Sequence, residues 1–236
     1  MASVQGNFGQ QGSDRKERTD VGYSDTKLNF LVSKRLGESR GFDHFLARTP
    51  AQREAIFKLR YDAYYSQGLI YGNDESSLSD WQDDEKTSLI YGITLHGRLV
   101  STIRLSVISR TQKACLTYSM FKNHCDSIVD KGESILDGSR LAVNCSSALR
   151  RSVILYTLSL TAACSVSVNA TWGSIIARHR HAPFYERYGF DLVIGPFTYP
   201  GARASTSLMM IELPVSTMSH LSGTHKNRME GLQLSA

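Results

Sequence analysis

The chain has 236 residues, of which 41% are apolar, and it carries 27 Lys and Arg against 22 Asp and Glu. This length suits one large domain or two small ones, and the apolar share is too high for an intrinsically disordered chain. The net charge of +5 is compatible with an anionic ligand, but no long Lys/Arg block occurs, so we expect no nucleic-acid partner.

The four cysteines lack the C-x-x-C spacing of zinc and redox motifs. We expect Cys115, Cys125, Cys145 and Cys164 to be reduced, mostly buried thiols of a cytoplasmic protein that holds no metal. The N-terminus has no apolar stretch typical of a secretory signal. Residues 153–168 form the most apolar run, but Ser and Thr interrupt it, so it predicts a core helix and no stable membrane insertion.

Composition divides the chain into three parts. Residues 1–26 are rich in Gly, Gln, Ser and charge and are expected to be mobile, and residues 215–236 form a polar tail. Residues 27–214 are expected to form a single domain. Strands are predicted at 27–34, 42–48, 88–96, 98–108, 171–177, 191–199 and 206–213, with a further strand after Asp137 and a turn at Pro200-Gly201. Helices are predicted at 49–67, 119–130 and 148–166, with a short one that begins near Pro183 and ends at Gly189.

The first helix has a strong start signal. Thr49, Pro50 and Gln52 have the spacing of an N-cap, a first helical residue and a capping-box partner. Arg60 lies in the middle of this helix beside Tyr61 and Tyr64, and the sequence leaves open whether it is a functional cation or a solvated charge.

An acidic loop precedes the predicted hairpin. Residues 74–85 contain six acids and no base, which is typical of a solvated loop. Arg104, however, lies on an inner strand between Ile103 and Leu105, and an unpaired charge buried there would cost several kcal/mol. The loop is therefore the expected source of a carboxylate partner.

The helix at 148–166 has cations at its wrong end. Arg150 and Arg151 lie in the first turn, where the helix dipole disfavours positive charge by roughly 0.3–1 kcal/mol each. Ser146 or Ser147 is expected to cap this helix. The arrangement makes sense if an anion binds at the N-terminus, although the arginines could also simply face water.

The segment 177–190, Ala-Arg-His-Arg-His-Ala-Pro-Phe-Tyr-Glu-Arg-Tyr-Gly-Phe, joins a strand to a short aromatic helix. It resembles the C-terminal half of the GNAT acyltransferase fold, and its His-Ala-Pro-Phe-Tyr string resembles the N-acyl amino acid synthase (FeeM) family, a relative of the acyl-homoserine-lactone synthases. Two further segments resemble signatures of these synthases: residues 59–64, Leu-Arg-Tyr-Asp-Ala-Tyr, and residues 137–140, Asp-Gly-Ser-Arg. The resemblance covers roughly residues 42–214.

The resemblance implies an α+β, GNAT-like fold with a mixed, mostly antiparallel sheet flanked by helices. It also implies an enzyme that transfers a long-chain acyl group from acyl carrier protein to an amino acid. The donor would be the 4′-phosphopantetheine thioester of acyl carrier protein, or CoA, and no cofactor would be permanently bound. The pyrophosphate loop that usually captures CoA is absent, which favours acyl carrier protein as the partner.

The resemblance also implies roles for individual residues. Tyr185 would protonate the leaving thiolate, and Asp137 would accept the ammonium proton, either directly or through water. The donor would lie against Val143, Asn144, Ser146, Ser147, Arg150 and Arg151, and its acyl chain against the helix at 153–168 with Met209, Met210 and Phe197. Asp80 or Asp83 would pair with Arg104, unless Asp84 takes that place, and Arg60, Tyr64 and Arg140 would support the cleft. His181 would cap the Pro183 helix or hold the acceptor carboxylate, for which Arg60, Arg178, Arg180 and Arg203 are also available.

Three other readings remain. An acyl-homoserine-lactone synthase is disfavoured because Leu69 and Ile70 lie where the Trp of its N-terminal signature is expected. An acetyl-CoA acetyltransferase is disfavoured by the missing pyrophosphate loop. A GNAT-fold module that binds an acyl carrier without turnover would give no product, so a product assay separates it from the enzymes.

Overall fold

The computed structural model describes residues 41–198 and 203–213. The predicted mobile segment, the strand at 27–34, the turn at Pro200-Gly201 and the polar tail lie outside these ranges. The strands are β1 (Phe42–Leu46), β2 (Ser88–Leu95), β3 (Arg98–Ile108), β4 (Ile135–Val143), β5 (Trp172–Arg178), β6 (Asp191–Phe197) and β7 (Thr206–Glu212). The helices are α1 (Pro50–Tyr65), α2 (Leu116–Met120), α3 (Lys122–Val129), α4 (Ser147–Ser167) and α5 (Ala182–Glu186), with 3-10 turns at Trp81–Asp84 and His179–His181.

The seven strands form one sheet in the order β1-β2-β3-β4-β5-β7-β6. Every neighbouring pair is antiparallel except β4 and β5, which run parallel. The antiparallel strands β2 and β3 are joined by a two-residue turn, whereas the parallel pair is joined through the long helix α4, as a parallel crossover requires. The expected α+β class with a mixed, mostly antiparallel sheet is confirmed.

Local sequence signals set several element ends. Thr49 accepts a hydrogen bond from the Gln52 amide and the Gln52 side chain accepts one from the Thr49 amide, so the predicted capping box is present. The β2–β3 hairpin turns through His96 and Gly97, whose φ values of 51° and 77° fit the two-residue turn that matches strand twist.

The helices cover both faces of the sheet. On one face α1 packs on Ala142 through Leu59 and Ala63, and α2 and α3 cover the other half of that face. On the opposite face α4 buries its apolar stripe, including Val153 and Leu160, in the largest core cluster. Within the described ranges, no helix combines the length and apolar character needed to cross a bilayer.

The predicted helix at 119–130 is wrong in its bounds. The structure has two helices, α2 and α3, separated at Phe121, whose φ of −127° and ψ of 42° leave the helical region. Leaving the helix lets the Phe121 ring pack edge-on against Phe197 at a centroid distance of 5.2 Å. The four cysteine thiols are all free, and only Cys145 is partly exposed.

Candidate active site

The parallel strands β4 and β5 separate halfway along their length. They pair from Ile135–Trp172 to Gly138–Ile175, and the pairing stops there. A cavity of about 590 Å³ begins at this point, and it is lined by both strands, by α4 and by the loop after α1. The volume is typical of a small-ligand site, and the lining draws on both faces of the sheet, so the cavity passes through the gap between the strands.

A β-bulge at Arg140 shapes one wall of this gap. Thr102 pairs with Ala142 and Arg104 with Ser139, so Arg140 and Leu141 together oppose Ile103. Arg140 has a φ of 55°, which is unusual for a side chain of this size. The extra residue brings Ser139 and Arg140 to the same face of the sheet, where both join the ion cluster described next. Regular alternation along the strand predicted after Asp137 would put Ser139 and Val143 on one face, and the bulge puts them on opposite faces instead.

A largely buried ion cluster lies between α1 and the strands β3 and β4. Arg104 contacts Asp80 at 2.5 Å and Asp83 at 3.0 Å, so both predicted pairings are present. The remaining contacts join Arg60 to Asp83 at 2.9 Å and Arg140 to Asp80 at 2.5 Å. Three guanidinium groups thus share two carboxylates, and the cluster carries net positive charge.

The burial of this cluster decides two questions that the sequence left open. The Arg60 side chain has no exposed surface, which excludes the solvated reading. Asp84 does not meet Arg104 and instead forms an exposed pair with Arg53 at 2.7 Å. Burial alone would raise the pKa of Asp80, but hydrogen bonds and charge from Arg104 and Arg140 outweigh it and hold the pKa at about 2. The Asp80 carboxylate therefore stays ionised and fixes Arg140 at the cavity wall.

The cavity is strongly cationic. Four arginines and a histidine line it: Arg140, Arg150, Arg178, Arg203 and His181. Its described lining contains no Asp or Glu. Arg178 donates to the Gln67 side chain at 2.7 Å, and Arg203 stacks on the Tyr71 ring at 4.4 Å. Burial, followed by repulsion from Arg180, lowers the pKa of Arg178. Such a site attracts anionic groups.

Two tyrosines complete the polar wall. Tyr185, on α5, is nearly buried against Ala177, Ala182 and Met209, and burial raises its pKa to about 12. Tyr64, at the end of α1, donates from its hydroxyl to the Leu141 carbonyl at 3.2 Å. Because Tyr185 stays protonated at neutral pH, it is available as a proton donor.

Asp137 is not part of the cavity wall. Its neighbour Gly138 lines the cavity, whereas the Asp137 side chain is 1% exposed and lies beneath α2, outside the lining. It accepts hydrogen bonds from Thr117 and Ser174, each at 2.7 Å, and from Cys115 at 3.4 Å. Burial raises its pKa. The expected role as acceptor of the ammonium proton is corrected on this geometry: Asp137 joins α2 to β4 and β5.

Only some of the residues predicted to bind the donor at the N-terminus of α4 line the cavity. Arg150 lines the cavity and so does Val143, whereas Arg151, Asn144, Ser146 and Ser147 are exposed outside it. Ser146 occupies the N-cap position, but its side chain makes no capping hydrogen bond, so that prediction is wrong. The amide of Asn144 donates to the Val100 carbonyl at 2.9 Å, which removes it as a donor to a ligand.

Of the apolar residues predicted to line the cavity, only those of α4 do so. Ile154, Leu158 and Thr161 of that helix line the cavity, but Met209, Met210 and Phe197 do not, because they pack within the core clusters. The sequence reasoning missed Leu69, Ile70 and Leu78, which follow α1 and close one side. Leu69 and Ile70 could have been predicted, because two adjacent apolar residues in a polar loop after Gly68 indicate a buried contact.

Known structures share this architecture. FeeM, an N-acyl amino acid synthase from uncultured soil microbes, superposes with a TM-score of 0.60 at 15% identity, covering 73% of this chain and 91% of its own. The CoA-dependent acyl-homoserine lactone synthase BjaI superposes with a TM-score of 0.55 at 16% identity, covering 79% of this chain and 89% of its own. The AHL synthase LasI superposes with a TM-score of 0.53 at 17% identity, covering 75% of this chain and 92% of its own. These likenesses confirm the expected GNAT-like fold.

Sequence comparison adds the family. A comparison with curated protein sequences gives no match. The family model described as "N-acyl amino acid synthase FeeM" matches residues 55–212, which include most of α1, the ion cluster, the split strands and the His-Ala-Pro-Phe-Tyr segment. The chain is an acyltransferase and belongs to the FeeM family of N-acyl amino acid synthases.

Proposed function

We propose that the protein transfers a long-chain fatty acyl group from acyl carrier protein to the amine of an amino acid. The observation that carries the proposal is the cavity between β4 and β5, whose described lining holds four arginines and no carboxylate. Both proposed substrates bring a negative charge to it, the phosphate of 4′-phosphopantetheine and the carboxylate of the acceptor.

The donor end of the cavity lies at α4. Arg150 stands at the helix N-terminus, where an anion is favoured by the helix dipole and by the arginine together. Deeper along the helix, Ile154 and Leu158 give an apolar wall suited to a fatty acyl chain. Arg151 and the 43% exposed Leu149 lie in the exposed first turns of α4, and the cation suits the acidic surface of acyl carrier protein.

The reaction depends mainly on positioning. The unpaired edges of β4 and β5 hold the thioester in the gap, and fixed orientation of two reactants is worth several kcal/mol of the barrier. A strand amide would polarise the thioester carbonyl as negative charge develops on its oxygen. Tyr185 would give its proton to the leaving thiolate.

A charge reversal at Arg150 tests the donor site. Arg150→Glu is expected to raise the KM for acyl carrier protein about tenfold, which equals 1.4 kcal/mol, because the phosphate then meets a like charge. The matched control is Lys131→Glu, since Lys131 is an exposed cation after α3, near the other end of β4. Steady-state kinetics at two salt concentrations should show a smaller salt dependence for Arg150→Glu alone. An equal effect of both reversals would contradict the donor site.

A neutral substitution at Arg178 tests the acceptor site. Arg178→Gln is expected to raise the KM for the amino acid about 10–100-fold, since a hydrogen bond to a charged group contributes roughly 1.5–3 kcal/mol. The decarboxylated amine of the same acceptor serves as the control, because it lacks the group that Arg178 would bind. If the variant handles the two acceptors with the same change in KM, Arg178 does not bind the carboxylate.

Product analysis tests the proposed function as a whole. Purified protein is incubated with long-chain acyl carrier protein and all twenty amino acids, the precursor of homoserine lactone and simple amines. Acyl-CoA and acetyl-CoA serve as parallel donors, and new N-acyl products are sought by mass spectrometry. An N-acyl amino acid formed from acyl carrier protein supports the proposal. Acylated homoserine lactone, or a product from acetyl-CoA alone, would replace it with another acyltransferase activity.

A further inference from the structure

We infer that His181 is the base that removes the proton from the acceptor's ammonium group, an inference that rests on the proposed amide-forming reaction. His181 ends the 3-10 turn His179–His181 and is the N-cap residue of α5. It lies four residues before Tyr185, and both side chains line the cavity. One turn of chain therefore presents a proton acceptor and a proton donor to the same space.

The other described lining residues do not supply a base. The lining holds no Asp or Glu, and the guanidinium group of an arginine has hydrogen-bond donors but no acceptor. Tyr185 is protonated and is needed for the thiolate, and Tyr64 donates to the Leu141 carbonyl. Asp137, the carboxylate that the family resemblance implied, is buried outside the lining and accepts hydrogen bonds from Thr117 and Ser174. His181 is left as the lining group that accepts a proton near pH 7.

The surroundings of His181 favour its neutral form. Its own segment contributes Arg178 and Arg180, and α4, α1 and the residues before β7 bring Arg150, Tyr64 and Arg203 to the same cavity. Burial lowers the pKa of His181, and the charges of Arg178 and Arg180 lower it further. A neutral imidazole accepts a proton, and the same positive surroundings then favour release of that proton to solvent.

The proton balance of the proposed step is complete. His181 takes one proton from the ammonium group, and the neutral amine attacks the thioester carbonyl to form the C–N bond. When the C–S bond breaks, Tyr185 gives its proton to the thiolate sulfur and recovers one from the nitrogen of the tetrahedral intermediate. The products are an amide, a thiol and one proton, which leaves from His181 to water.

The test compares His181→Gln with His179→Gln. His179 lies two residues away, hydrogen-bonds Ser207 at 2.8 Å and is not among the cavity-lining residues. In the wild type, kcat/KM for the acceptor is expected to fall as the pH is lowered. The midpoint of this acidic limb should lie below pH 6.5, because the pKa of His181 is lowered. His181→Gln should lose this acidic limb and about 10²-fold in kcat, whereas His179→Gln should keep the limb.

Two further measurements separate proton removal from structural damage. With hydroxylamine as acceptor, whose nitrogen is already unprotonated at neutral pH, the deficit of His181→Gln should shrink several-fold. Arg180→Gln removes an exposed charge outside the cavity lining, and it should move the acidic limb to higher pH because the pKa of His181 rises. An unshifted limb, or a deficit equal for both acceptors, would overturn the inference.

The alternative base is tested in the same series. If Asp137→Asn loses the acidic limb while His181→Gln retains it, the proton acceptor is Asp137 and the inference fails. If the wild-type protein forms no N-acyl product from any donor, the proposed function fails instead, so the two failures are distinguishable.

Discussion

Replacing Asp83 by alanine is expected to lower the free energy of unfolding by about 3–5 kcal/mol, the cost of removing one partner from a buried ion pair. Asp83 is 2% exposed and lies within 3.0 Å of both Arg60 and Arg104. Without it, Arg60 keeps its charge in a site with no exposed surface, and Nε and Nη2 of Arg60 already lack hydrogen-bond partners among the described residues. Urea unfolding of both proteins, followed by circular dichroism, measures the difference.

The matched control is Asp84→Ala. Asp84 is the next residue of the same 3-10 turn, but its side chain is 85% exposed and pairs with Arg53 at the surface. Exposed pairs contribute about 0–1 kcal/mol, so the control should stay within that range. If the two substitutions cost the same, the buried cluster does not stabilise this part of the fold.

Much of this cluster was predictable because its cause is local. A charged residue between Ile103 and Leu105 on an inner strand requires a partner, and the acidic loop is the nearest source of carboxylates. The choice between Asp83 and Asp84 was not predictable, because it depends on the capping geometry of the turn. The Asp83 side chain accepts from the Asp80 amide at 2.9 Å, which turns Asp83 inward and leaves Asp84 outside.

The cavity was harder to predict, because it depends on where strand alternation fails. A period of two residues assigns Ser139 and Arg140 to opposite faces, and the bulge at Arg140 places them together. Asp137 was misplaced for a different reason, since no sequence signal showed that Thr117 and Ser174 would enclose its carboxylate. The cationic lining comes from Arg140, Arg150, Arg178 and Arg203, which lie on β4, on α4, on β5 and before β7.

Tyr185→Phe is expected to reduce kcat with an acyl carrier protein thioester by about 10²-fold, within the range for loss of a general acid. The substitution removes only the hydroxyl, so the ring contacts with Phe184 and Phe190 at 5.2 and 5.8 Å remain. Donor affinity should therefore change little, and single-turnover kinetics should place the loss in the chemical step. Tyr188→Phe is the control, since Tyr188 touches Phe184 but is not a described lining residue of the cavity.

A comparison of two leaving groups tests whether Tyr185 acts as an acid or only positions the substrate. A thioester of an acidic aromatic thiol releases a thiolate that needs no proton, so with this donor the deficit of Tyr185→Phe should fall to a few-fold. An acid with a pKa of about 12 helps most when the leaving thiolate is basic, as that of phosphopantetheine is. A deficit that is the same for both donors would mean that the hydroxyl positions the substrate. The thiolate would then take its proton from water or from the attacking amine, and α5 would contribute shape rather than acidity.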